Sequence, residues 1–250
     1  MVTVEFGEHN KEVILLLHGG GLSWWNYRDV AELLKEKYHV VIPLLPGHAG
    51  SDKDFTRIED CAKDLITYID HEYGGTVAFI GGLSLGGQIL VEMLSVRSDI
   101  CRYALIESAL VTPMKLTHAL VKPMMDSSFG LIKKEWFARL QFKYLKMKAD
   151  LFEDYYRDTC KITKENMISF LKANSNYFVK KGLAETKAQV SIFAGKKEMG
   201  NMIQSARLLH EIIPGSSLTI LDGLCHGEFS INDADEYARR VEQMMEEKIR

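Results

Sequence analysis

The chain has 250 residues, 46% apolar and 26% charged, which suits one large domain, or a domain with an insertion, around a full core. A net charge of −3 gives no electrostatic reason to expect nucleic acid or an anionic membrane surface as a partner. No apolar run approaches the ~18 residues of a membrane span. The first residues, MVTVEFGEHN, lack the basic and apolar regions of a signal peptide. Cys61, Cys101, Cys160 and Cys225 are scattered with no C-x-x-C pair, so a zinc site is not expected and a cytoplasmic location is.

In chain order, "VTVEF" reads as an antiparallel edge strand, and "EVILLL" (12–17) as a strand buried on both faces. "WWNYRDVAELLKEKY" (24–38) has helical spacing, and "HVVIPLL" (39–45) is a strand again. "TRIEDCAKDLITYIDHEY" (56–73) reads as an amphipathic helix opened by a capping box of Thr56 and Glu59. "TVAFIGG", the helix "QILVEMLSVR" and the strand "CRYALIES" (101–108) continue the alternation. From 112 to 186 long helical patches follow one another without strands; "QVSIFAG" (189–195), a helix near 200–212, "SLTILDG" (217–223) and a helix from about Asp233 then resume the first pattern. Strand–helix alternation predicts a mostly parallel, doubly wound α/β sheet, with core segments 1–111 and 187–250 and a helical cap at 112–186 inserted after the strand near 101–108.

"TVAFIGGLSLGGQILVEML" (76–94) raises the functional question. Gly81 and Gly86 have the glycine spacing of a phosphate-binding P-loop, but Gly87 and Gln88 follow where Lys and Ser/Thr are needed. What remains is G-x-S-x-G, Gly82 to Gly86. A strand turning sharply into a helix strains its central residue and demands small neighbours, which holds the Ser84 hydroxyl at the carboxyl edge of the sheet. The Leu85 N–H, opening the helix, is then free to stabilise an oxyanion.

A hydroxyl nucleophile needs a base, and the base needs an orienting acid. His226, in the loop after the last strand, is the expected base; His18 and His48 also follow strands and are rivals. For the acid, the loop after "QVSIFAG" offers Glu198, with Glu107 and Asp222 as rivals. "HGGG" (18–21) supplies a second oxyanion N–H, assigned to Gly20, with Gly21 and Leu22 as alternatives. Trp24 and Trp25 read as packing residues.

Together, "HGGG" (18–21), "PGHAGSD" (46–52), "GLSLG" (82–86), the Glu198 loop and "HG" (226–227) resemble the α/β-hydrolase superfamily, and within it the cap-bearing serine hydrolases. The family loop usually carries G-x-x-D where this chain has Gly195-Lys196-Lys197-Glu198. The serine nucleophile sets it apart from the haloalkane dehalogenases and epoxide hydrolases of the same fold. The resemblance implies hydrolysis of a carboxylic ester or thioester through an acyl-serine, with a small-molecule substrate and neither metal nor organic cofactor. The alternative is a ligand receptor of the same fold with negligible turnover; rate separates the two. An apolar substrate pocket is expected from cap residues Met114, Met124, Met125, Met147, Phe129, Trp136, Phe137, Phe142, Tyr155 and Tyr156, although most such stripes pack helices together.

Overall fold

A computed structural model describes residues 1–246. Seven strands form one sheet: β1 (Thr3–Phe6), β2 (Val13–Leu17), β3 (His39–Pro43), β4 (Val77–Leu83), β5 (Cys101–Glu107), β6 (Gln189–Gly195) and β7 (Ser217–Leu221), in the order β1-β3-β2-β4-β5-β6-β7. β1 pairs antiparallel with β3, and every other neighbour pair is parallel. The continuous aliphatic runs follow from that placement, because a parallel strand covered by helices has no wet face. Alternate residues enter opposite layers: Leu15, Leu17, Ala104 and Ile106 join one core cluster, while Ile14, Leu16, Tyr103 and Leu105 join the other.

Helices α1 (Arg28–Leu34), α2 (Ile58–Tyr73) and α3 (Leu85–Val96) fill the first three crossovers. α2 buries Ile58, Cys61, Ala62, Leu65 and Ile69 along one face and ends at Gly74, with φ of 67°. The expected capping box does not form. The helix opens at Ile58 without a side-chain cap, the Thr56 hydroxyl donates to Asp60 (2.8 Å), and Glu59 pairs with Lys180. The helical pattern expected over 24–38 divides into a 3-10 turn, Trp24–Tyr27, and α1.

After β5 the chain runs through α4 (Lys115–Ile132), α5 (Glu135–Leu145), α6 (Phe152–Lys161) and α7 (Lys164–Asn176), with 3-10 turns at Ala149–Leu151 and Lys181–Glu185, before re-entering the sheet at β6. This segment is tied down on both flanks. Gln88 on α3 donates to the Leu110 and Asn174 carbonyls (2.6 and 2.8 Å), and Trp25 Nε1 donates to buried Asp158 of α6 (3.0 Å). Helix α8 (Gly200–Ile212) covers the β6–β7 crossover, and the expected final helix is α10 (Ala234–Glu246), preceded by a short α9 (Glu228–Asn232). Among the described residues no helix is long and apolar enough to cross a membrane.

Candidate active site

Ser84 stands between β4 and α3 with φ of 54° and ψ of −111°, a conformation that costs a non-glycine residue ~1–3 kcal/mol unless its surroundings hold it. Its own N–H donates to the Glu107 carbonyl (2.9 Å) and its carbonyl accepts from Gln88 N–H (2.9 Å), fixing the corner from both sides. The flanking glycines are required by close approach. A Cβ on Gly82 would lie 2.5 Å from the Gly86 carbonyl oxygen, and one on Gly86 would lie 2.0 Å from that of Leu17. Both obstacles are backbone and cannot swing aside, so the two glycines of the pentapeptide are dictated by the turn itself.

Around this corner the sheet edge assembles a relay. The Ser84 hydroxyl lies 3.0 Å from His226 Nε2, and His226 Nδ1 lies 2.8 Å from Glu198 Oε2. The His226 loop is shaped by Glu228, which accepts the Cys225 N–H (2.6 Å), and by Gly227 at φ of 76°. The Glu198 side chain is only 1% exposed, whereas His226 is 38% exposed and open to a ligand. Burial pushes the Glu198 carboxyl up, but hydrogen bonds from His226, Ser108 (2.7 Å) and Gly195 N–H (2.6 Å) outweigh it and hold the group below its ordinary range. The carboxylate thus accepts the Nδ1 proton and leaves Nε2 with a lone pair toward Ser84. Ser108, itself at φ of 53°, was not singled out in the sequence. Its one signal is its place directly after a buried strand, on the same sheet edge.

The rivals are engaged elsewhere. His18 Nε2 accepts the Leu45 N–H (3.1 Å) while Nδ1 donates to the Gly19 carbonyl (3.0 Å). His48 Nε2 accepts the Gly21 N–H (2.9 Å) while Nδ1 donates to the Pro46 carbonyl (3.0 Å). Burial lowers the two rings to about 3 and about 4, so both are neutral braces for the loops they join. Asp222 is 82% exposed and paired with Lys196 (2.7 Å).

The backbone amides of "HGGG" and the residue after it are likewise mostly engaged. Gly19 N–H donates to Asn26, Gly21 to His48, and Leu22 to the Gly19 carbonyl. Gly20 and Leu85 are left with N–H groups that have no hydrogen-bond partner among the described residues. They adjoin: a Cβ on Gly20 would lie 3.5 Å from that of Leu85. Asn26, the residue that ties Gly19 down, gave no sequence signal.

Glu107 lies beneath the relay, fully buried, with Oε1 accepting the Ser230 N–H at 3.3 Å and Oε2 without a partner. Burial pushes its carboxyl from 4.5 up to about 7, against the pull of Ser230 and His226. An acid raised on folding destabilises the folded state as it ionises. The penalty is absent below the unfolded value, grows between pH 4.5 and about 7, and is constant above that. At ~1.4 kcal/mol per pH unit the full penalty is a few kcal/mol. Glu107→Gln should therefore raise Tm at pH 8 by on the order of 5–10 °C and by little at pH 5. Thermal melts over that range check this; a variant that tracks the wild type at every pH would refute it.

Two spaces meet at Ser84. A cavity of about 700 Å³ is walled by Leu140, Tyr144 and Leu145 of α5 and by Met199 and Met202, and a slot of about 60 Å³ lies between Gly20, Leu22, Met147 and Ile231. Of the ten cap side chains expected to form an apolar pocket, only Met147 reaches either space. Phe142 and Tyr155 are buried in the core, Met125, Phe129 and Phe137 pack half-buried against it, and Met124 and Trp136 are exposed. α5 turns Ala138 and Phe142 inward, so Leu140 and Tyr144, on its opposite face, are left for the cavity.

A doubly wound sheet that places a serine, a histidine and a carboxylate on its carboxyl edge defines a class, and comparison with known proteins agrees. The model of the alpha/beta hydrolase family matches residues 14–239, and the chain belongs to that family. It is 33% identical over 146 residues to an AB hydrolase superfamily protein of Gibberella zeae, a match covering 56% of this chain and 50% of that one. The chain spans about half the length of that relative. Among solved structures, an esterase from Exiguobacterium antarcticum superposes with a TM-score of 0.83 at 16% identity, covering 98% of this chain and 95% of that one. An enol-lactonase from Burkholderia xenovorans gives 0.80 at 16% identity, covering 98% and 96%. At such identity these likenesses show the fold alone.

Proposed function

We propose that the protein is a serine hydrolase that cleaves a carboxylic ester or thioester of a small, partly apolar substrate through an acyl-serine intermediate. The observation that carries this reading is the continuous relay from the Ser84 hydroxyl through His226 to Glu198, at 3.0 and 2.8 Å. In the proposed reaction Ser84 Oγ attacks the carbonyl carbon as its proton passes to His226 Nε2, and Glu198 stabilises the imidazolium. The N–H groups of Gly20 and Leu85 receive the developing oxyanion, a contribution of ~10²–10³ in rate per donor where one has been removed from another serine hydrolase. His226 then gives the proton to the departing alkoxide or thiolate. Water enters, His226 takes its proton, and attack on the acyl carbon releases the acid and restores Ser84. Every proton is moved by His226, so the reading requires no bound cofactor.

The helical segment 112–186 acts in this reading as a cap, since α5 roofs the larger cavity. Four unpaired thiols support a reducing compartment, the cytoplasm. Exposure to a fluorophosphonate tests the mechanism. One adduct per chain is expected, on the peptide carrying Ser84, with parallel loss of 4-nitrophenyl butyrate hydrolysis. No adduct, or an adduct on another residue, would overturn it.

A further inference from the structure

The larger cavity has a charge that the whole chain does not. The chain is net negative at −3, yet Lys143, Lys146 and Lys197 line this space. None of the three pairs with a carboxylate among the described residues; Lys146 Nζ instead lies 3.1 Å from the Cys225 sulfur. Elsewhere this chain often pairs exposed lysines with acids, as Lys196 beside Lys197 does with Asp222 (2.7 Å). Among the described residues the one acid lining the cavity is Glu198, whose side chain is buried and committed to His226, Ser108 and Gly195. Leu140, Leu145, Met199 and Met202 give the same cavity an apolar lining beside Ser84 and the three lysines.

We propose that this cavity selects anionic amphiphiles, esters in which an apolar arm ending in a carboxylate, or a group of like charge, extends from the reacting carbonyl toward Lys143, Lys146 and Lys197. The inference rests on the serine-hydrolase reading and names its substrate class. A neutral arm would bury apolar area but leave three ammonium groups without a counter-charge. An anionic terminus gains their combined attraction and is also drawn to the mouth of the site before docking. The slot beside Gly20 is too small for such an arm, so the arm occupies the larger cavity and the slot holds the smaller part of the ester.

Two matched pairs test this, one for each side of the ester bond: monomethyl suberate against methyl octanoate, and the butyryl ester of 6-hydroxyhexanoate against hexyl butyrate. In at least one pair the anionic ester should have roughly tenfold higher kcat/KM, expressed mainly in KM and shrinking as salt is raised, as expected for a few partly exposed charge contacts. The triple variant Lys143→Gln, Lys146→Gln, Lys197→Gln should lose that preference and keep kcat on the neutral esters. Lys143→Gln alone, on an exposed helix face, should lose part of it and guards against misfolding of the triple variant. Equal kcat/KM in both pairs, or a preference that survives the triple variant, would overturn the proposal while leaving the hydrolase reading intact. Absence of hydrolysis of all four esters together with absence of fluorophosphonate labelling would instead sink the hydrolase reading.

Discussion

Ser84→Ala should abolish ester hydrolysis and fluorophosphonate labelling while the folded chain persists. In a serine-triad enzyme, loss of the nucleophile has cost about 10⁶ in turnover, and what survived came from the oxyanion donors and binding alone. The variant keeps the N–H groups of Gly20 and Leu85, so a residual rate slightly above the uncatalysed one is compatible with the mechanism. The expected stability change is small for two reasons. Alanine meets the same φ of 54°, so the corner strain is retained, and the lost hydroxyl has one partner, a half-exposed ring that water can reach. A change within ~1 kcal/mol is therefore expected. Thermal melts and near-UV circular dichroism check the fold, and single-turnover assays check the chemistry. A purified Ser84→Ala chain that still labels stoichiometrically would mean that another residue is the nucleophile.

The parts of this molecule that were legible in its sequence are those in which one physical demand fixes several neighbouring residues. β2 and β4 announce themselves because burial on both faces excludes polar residues from the whole run, and the G-x-S-x-G corner because backbone atoms 2.0–2.5 Å away admit only glycine. His226 and Glu198 were reachable because each follows a strand, and parallel strands bring their following loops to one edge. What escaped depends on distant partners. Choosing Gly20 over Gly21 and Leu22 requires knowing that Asn26, His48 and the Gly19 carbonyl consume the other amides, and His48 is 27 residues from the amide it accepts. Ser108 carries no pattern of its own, because it matters only once Glu198, 90 residues on, is placed beside it. The cap lining was misassigned for a related reason. Helical periodicity groups Ala138 with Phe142 and Leu140 with Tyr144, but it does not say which face meets the core. The Thr56–Glu59 box failed because both side chains found other partners, Asp60 and Lys180.

Glu198→Gln should slow acylation by about 10⁴, the cost of the acid-to-amide exchange in another serine-triad enzyme. The surroundings of Glu198 determine how the amide sits. Oε1 accepts from both the Ser108 hydroxyl and the Gly195 N–H, so the glutamine carbonyl must occupy that position. Its NH2 group is then turned to where Oε2 meets His226 Nδ1. Two donors cannot face each other, so the ring moves its proton to Nε2, where it can no longer accept one from Ser84. Glu198→Asp keeps the charge but shortens the reach by one methylene, and should retain partial activity. Glu107→Gln and Asp222→Asn should change turnover only modestly, since neither carboxylate contacts His226: one is bonded to Ser230 N–H and the other to Lys196. Pre-steady-state release of 4-nitrophenol separates acylation from the later steps for all four variants. If Glu198→Gln keeps near wild-type acylation while Glu107→Gln loses it, the acid that orients His226 sits at the end of β5, and the relay through Glu198 is not the one that works.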